Sequence, residues 1–289
     1  MSKHHGSGNS INGYRAKKAL GQNFLVDKQV IRDIADASGV DKDTLAIEIG
    51  PGMGALTEEL LDRAGKLVAI ELDQELIPIL RAKFFSSENL KIINEDVLKV
   101  DMKALIEAEM ASGLSRCCIL GNLPYYITTP IVMGLLEAEL PAESITVMVQ
   151  KEVAERMAAG PGGKDYGVLS LSAAYYAECE LVREVGPECF RPQPKVDSAV
   201  VRLDILREPP VSVRSKDMLF KTIKAGFGQR RKTLANALEG GGLPRDSIST
   251  ALRAAEIDPK RRAETLSLEE FARLSDALIK AEAGGHLQG

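Results

Sequence analysis

Between Thr44 and Val149 the chain alternates short, β-rich apolar runs with longer segments of helical period, and this alternation constrains the fold more than any other feature. Strands joined through helices run parallel, because each crossover returns the chain to the same end of the sheet. The runs at Leu45 to Ile49, Leu67 to Leu72, Leu90 to Ile93, Cys117 to Leu120 and Ile145 to Val149 mark five strands, with helices such as Gly54 to Arg63 and Gln74 to Phe85 between them. Each connection fits a right-handed crossover. A preceding helix is predicted over Asp27 to Ala37, where Val30, Ile31, Ile34 and Ala35 form an apolar stripe behind Asp27 in N-cap position.

Past the fifth strand, Lys151 to Ala159 has a helical pattern, Gly160 to Gly167 reads as a mobile surface loop, and two more strands are predicted at Glu180 to Val185 and Asp197 to Ile205. The Glu208-Pro209-Pro210 break opens a stretch with helical patterning only. The expected organisation is a flexible tail at residues 1–13, an α/β Rossmann-like domain at 14–206 and a smaller all-helical domain at 207–289. With 45% hydrophobic and 27% charged residues, the 289-residue chain has ordinary globular usage, which excludes collagen-like and wholly disordered readings. The uncharged run Cys117 to Leu136 contains two glycines and two prolines and reads as a strand, a loop and a helix start, not a membrane span. With no apolar leader at the N-terminus, a cytoplasmic protein is expected.

Four cysteines without C-x-x-C spacing, and histidines only at positions 4, 5 and 286, argue against a zinc site and against histidine-based catalysis. Net charge is −4, yet Arg214 to Arg262 holds 12 basic and five acidic residues. That segment, with Arg230, Arg231 and Lys232 consecutive, is a candidate phosphate grip, the alternative being a solvated helix face. Lys260-Arg261-Arg262 is a second such run, and Arg15, Lys17 and Lys18 extend the basic character to the N-terminal arm.

The first strand runs into Gly50-Pro51-Gly52-Met53-Gly54 and then a helix, and Glu71 ends the next strand. Small residues let a ligand approach the backbone, and an acid at the second strand tip can take both hydroxyls of a ribose. The same glycines would also serve a turn built only for tight packing. Pro51 removes a backbone donor and Glu48 adds a carboxylate, which disfavours a pyrophosphate and suits the positive charges of S-adenosyl-L-methionine over a nicotinamide dinucleotide. Asp96, at the third strand tip, is either an acceptor for an adenine amino group or an N-cap. After the fourth strand comes Asn122-Leu123-Pro124-Tyr125, which should face the same crevice. An exocyclic adenine nitrogen is a poor nucleophile because its lone pair is delocalised. Accepting its hydrogens on the Asn122 side-chain oxygen and a backbone carbonyl near Leu123 would favour the pyramidal, reactive geometry. Pro124 stiffens the turn, and Tyr125 offers a ring face to an unstacked base.

Taken together, these motifs resemble the ribosomal RNA adenine N6-dimethyltransferases, above all the bacterial enzymes acting on small-subunit RNA. The resemblance covers nearly the whole chain and includes Lys18 to Leu25, Glu48 to Gly54, Glu71 to Asp73, Glu95-Asp96, Asn122 to Tyr125, Phe190 to Ser198 and Phe227 to Leu234. It implies a class I S-adenosylmethionine-dependent methyltransferase fold, with S-adenosyl-L-homocysteine as product and no metal. It further implies that Asn23 and Leu25 contact the cofactor, that Gly50 and Gly52 lie against it, that Glu71 takes the ribose and Asp96 the adenine, and that Asn122 closes the pocket. Phe190 would pair with Tyr125 around a flipped adenine. The implied substrate is 16S rRNA within the immature small ribosomal subunit, and the protein is expected to be a monomer. A large-subunit (23S) dimethylase of the resistance type, a largely non-catalytic assembly factor and a nicotinamide oxidoreductase are the competing readings.

Overall fold

A computed structural model describes residues 10, 11 and 13–285. The chain divides into two compact units, one built from residues up to Ala154 together with Glu178–Ile205, the other from Glu155–Ala177 together with the chain beyond Leu206.

The first unit is organised by a seven-stranded sheet: β1 (Thr44–Ile49), β2 (Lys66–Glu71), β3 (Leu90–Asn94), β4 (Arg116–Asn122), β5 (Ser144–Gln150), β6 (Ala177–Val185) and β7 (Ser198–Ile205), in spatial order 3-2-1-4-5-7-6. The first five strands are parallel, with Ile49 opposite Ile70 on one side and Gly121 on the other. β7 runs antiparallel to β5, Ser198 facing Gln150. Every residue of β1 is buried, as expected for a central strand covered on both faces. The covering helices are α1 (Lys28–Ser38), α2 (Ala55–Arg63), α3 (Leu76–Lys83), α4 (Met102–Met110) and α5 (Thr128–Glu137), and α6 (Lys151–Ala158) follows β5. Asp27 caps α1, accepting from Gln29 N at 2.8 Å and Val30 N at 3.0 Å, and the predicted stripe of Val30, Ile31, Ile34 and Ala35 is buried in the core. At Gly121 a Cβ would stand 2.7 Å from the Ile49 carbonyl, so glycine allows β1 and β4 to pair closely where they enter the site.

In the second unit, α7 (Val168–Tyr176) joins α8 (Lys216–Phe227), α9 (Leu234–Gly240), α10 (Arg245–Ala254) and α11 (Leu268–Gly285). The sequence places residues 155–177 with the sheet, but their bonds run to the C-terminal helices. Leu206 N donates to Tyr176 O at 2.9 Å, the Tyr166 hydroxyl donates to Leu266 O at 2.9 Å, and the Tyr176 ring stacks on Phe220 at 5.8 Å. Apolar burial of two tyrosines outweighs chain proximity. The loop expected to be mobile is tied at two points: Gly162 N donates to Glu264 O at 2.7 Å, and Tyr166 is buried. Helix α7 escapes the sequence pattern because nearly all of it is buried and no polar face gives it a period. Of the expected tail, residues 1–9 and 12 lie outside the described residues, as do the three histidines; Ser10–Ile11 pairs with Tyr14–Arg15 in a short antiparallel bridge.

Candidate active site

A cleft of about 100 Å³ opens at the carboxyl ends of β1, β2, β3 and β4. Asn23, Gly50, Gly52, Glu71, Asp96 and the Asn122 to Tyr125 turn all line it. Gly50 and Gly52 have φ of +70° and +58°, in the left-handed region that favours glycine. A Cβ on Gly50 would meet only the Asn122 carbonyl, at 3.8 Å, leaving the backbone accessible from the cleft, whereas one on Gly52 would strike the Phe24 ring at 2.9 Å.

Glu71 is 6% exposed and held at both oxygens: Gly52 N donates to Oε2 at 3.1 Å and Asp73 N to Oε1 at 2.8 Å. Burial raises its pKa, and these backbone donors oppose the rise. Each oxygen keeps a second lone pair, so the anchored carboxylate can still accept from two hydroxyls. Asp96 is an N-cap, its Oδ1 accepting from Leu98 N at 3.1 Å, and the residue also lines the cleft.

The Asn122 side chain is oriented by the N-terminal segment. Its Nδ2 donates to Asn23 O at 3.0 Å, which leaves Oδ1 as the acceptor end. Leu123 N donates to Met148 O at 3.1 Å, fixing the turn to β5. The Pro124 carbonyl accepts from Ile127 N at 3.2 Å and from the Thr128 hydroxyl at 3.0 Å, so it is committed to the start of α5. The Tyr125 hydroxyl lies 2.5 Å from Ser198 Oγ at the start of β7, and burial raises the phenol pKa against the lowering effect of that bond. No spacing signal marks Ser198 as its partner, because the two residues meet only through the antiparallel return of β7. Tyr126, also on the cleft, is 58% exposed.

Three expectations require correction. Leu25 and Phe190 do not line the cleft. They face each other across a two-residue antiparallel bridge, 7% and 0% exposed, inside the hydrophobic core. Successive side chains in an extended segment point to opposite faces, so Phe24 takes the cleft side in place of Leu25. Tyr125 and Tyr126 are the aromatic residues of the turn that line the cleft. Glu48, expected to act on the ligand's charge, is 2% exposed beneath the glycine turn and accepts from the Thr57 hydroxyl at 2.6 Å.

In the second unit, Arg230, Arg231 and Lys232 are exposed in the turn between α8 and α9, not on a helix face. The Arg230 guanidinium donates to the Lys164 carbonyl. Arg261 is committed to Glu270 at 2.5 and 2.9 Å, which weakens the case for the second basic run as an RNA contact. Among the described residues, no cluster of His, Cys, Asp or Glu is placed to hold a metal ion, and no helix is long and apolar enough to cross a membrane.

Residues 13–280 match the family model for ribosomal RNA adenine dimethylase. The chain is 51% identical over 271 residues to the ribosomal RNA small subunit methyltransferase A of Geobacillus thermodenitrificans, covering 92% of each chain. It is 50% identical over 267 residues to the Clostridium perfringens protein of the same name, again with 92% coverage of both. Among solved structures it resembles the 23S rRNA methyltransferase ErmE at 29% identity, TM-score 0.66, covering 89% of this chain and all of that one. A Plasmodium falciparum dimethyladenosine transferase shares the fold at TM-score 0.76 and 22% identity, covering 91% of this chain and 98% of the other.

The buried Glu48 carboxyl has a pKa pushed up to about 7, chiefly by desolvation, against an ordinary 4.5. A carboxyl with a raised folded pKa binds more protons folded than unfolded, so its contribution to stability falls as pH rises from about 4.5 to about 7 and is flat above that. Glu48→Gln removes the ionisation cost, and its stability relative to the parent is expected to improve by roughly 2–3 kcal/mol between pH 5 and pH 8. Urea unfolding of both proteins at the two pH values measures this; a difference independent of pH would show that Glu48 does not titrate in that window.

Proposed function

The chain belongs to the ribosomal RNA adenine dimethylase family, and from that premise we propose that it transfers methyl groups from S-adenosyl-L-methionine to N6 of two adjacent adenosines near the 3′ end of 16S rRNA, dimethylating each. The observation that carries the chemistry is the Asn122 amide, whose nitrogen donates to Asn23 O and whose oxygen is its acceptor end for a substrate amine. The small-subunit target is supported by relatives at about 50% identity that carry that name, against 29% for the large-subunit enzyme. In this reading the protein works as a cytoplasmic monomer on the immature small subunit.

The cleft's donors and acceptors fit the cofactor. Glu71 would accept from both ribose hydroxyls and Asp96 from the adenine amino group, while the open backbone at Gly50 would admit the methionine portion. The cofactor supplies an electrophilic methyl on a sulfonium. Asn122 Oδ1 and the Leu123 carbonyl would accept the two hydrogens of the target amine and draw its nitrogen toward a reactive geometry. Tyr125, its hydroxyl tethered to Ser198, would present a fixed ring face to the flipped base. Phe190 lies beneath this arrangement in the core and would support the strand carrying Phe24. In the second unit, Arg230, Arg231 and Lys232 would contact RNA phosphates.

The direct test is transfer of labelled methyl from S-adenosylmethionine to small subunits from cells lacking the modification, with large subunits and mature small subunits as controls. Label confined to unmodified small subunits, recovered as N6,N6-dimethyladenosine, is the expected result; label on large subunits would favour the resistance-type reading. Asn122→Ala should lower the methylation rate about a hundredfold or more with particle binding retained. Substituting alanine for Arg230, Arg231 and Lys232 together should weaken particle binding and reduce its dependence on the logarithm of salt concentration by about 2. Unchanged affinity at moderate salt would remove this turn from the RNA surface.

A further inference from the structure

Asp73 lies two residues beyond Glu71 and is 3% exposed. Its carboxylate accepts from the Tyr14 hydroxyl, Lys17 Nζ at 2.7 Å, Gln22 Nε2 at 2.9 Å and Glu75 N at 3.0 Å. Three of these four donors are side chains of one N-terminal segment, whose described strands are two residues long. A buried carboxylate persists only when its charge is met, and here Lys17 meets it while also pairing with Glu75 at 3.0 Å. Burial alone would raise the Asp73 pKa, but the Lys17 ammonium and the Tyr14 hydroxyl hold it down at about 2, so the acceptor is charged throughout the neutral range.

The segment fastened in this way forms a wall of the cleft. The Tyr14 ring meets Phe24 edge-on at 5.9 Å, and Phe24 lies on Gly52 of the glycine turn. Gln22 Oε1 accepts from Lys17 N at 2.7 Å, and the next residue, Asn23, supplies the carbonyl that orients Asn122. On its other side, Asp73 N donates to Glu71 Oε1 at 2.8 Å.

We propose that Asp73 is a positioning residue of the cofactor pocket, latching the segment Tyr14 to Phe24 over the glycine turn through its carboxylate while its backbone N–H orients Glu71. The proposal rests on the pocket assigned above. It gives Tyr14 and Lys17 a role in cofactor affinity although neither lines the cleft. The latch acts on the wall around the cofactor, so its loss should appear in affinity more than in turnover once the site is saturated.

The test compares Asp73→Asn, Tyr14→Phe and Lys17→Met with the parent full-length protein, using calorimetric titration with S-adenosylmethionine and S-adenosylhomocysteine and steady-state methylation of unmodified small subunits. Asp73→Asn should raise the cofactor Kd and KM about tenfold, the order expected when a hydrogen bond to a charged group is lost, with kcat at saturating cofactor within about twofold of the parent. Tyr14→Phe and Lys17→Met should move Kd and KM the same way by smaller factors, and they carry the test if Asp73→Asn fails to fold. Lowered thermal midpoints with parental Kd and KM in the folded variants would overturn the proposal and leave Asp73 a stability residue. Absence of cofactor binding by the parent would instead overturn the pocket assignment.

Discussion

The chain passes from β1 to β2 to β3 on one side and then returns to lay β4 on the other side of β1, and this reversal of strand order dictates where chemistry can occur. Helices following β1 and β4 must leave in opposite directions over the sheet, so a crevice opens between the two strand ends. The Gly50 to Gly54 turn and the Asn122 to Tyr125 turn are the two lips of that crevice, and Gly121 permits their strands to approach closely. From there the remaining groups follow by adjacency: Glu71 and Asp96 stand at the ends of β2 and β3, in register beyond β1.

Most of this sheet was legible because parallel strands buried on both faces must be continuous apolar runs separated by helical periods. The elements that were not legible are those for which burial erased the pattern or tertiary pairing created it. Helix α7 is buried nearly all round and has no polar stripe to betray its period. The bridge between Phe24–Leu25 and Phe190–Arg191 joins segments far apart in sequence, each too short to register as a strand. The same bridge accounts for the misplaced site residues. Motif similarity assigns Leu25 to the cofactor and Phe190 to the flipped adenine, but only the pairing shows that their side chains turn into the core while Phe24 turns out. Asn122, by contrast, was readable because a strand end before a rigid turn leaves its side chain few directions.

Three acids near the glycine turn show burial and hydrogen-bond partners acting on charge in opposite directions. Glu48, Glu71 and Asp73 are all nearly inaccessible. Desolvation raises the Glu48 pKa to about 7 against the opposing Thr57 hydroxyl and Lys83 ammonium. Glu71 has two backbone N–H donors and is raised. Asp73 has an ammonium and a phenol and falls to about 2. Desolvation pushes each carboxyl up, and at Asp73 the ammonium and phenol more than offset it.

A site that would bind a sulfonium and release a thioether gains from an acid such as Glu71. A cation entering the cleft would offset part of the desolvation cost of that carboxylate, and the carboxylate in turn would favour the cation. The neutral thioether would lose that attraction as the methyl departs. A buried acid held by backbone donors rather than by a permanent counter-ion is suited to this exchange, because its field is not already spent. Asp73, whose charge is met by Lys17, is the complement: in the proposed latch it would hold the wall in place whichever form of the cofactor is bound.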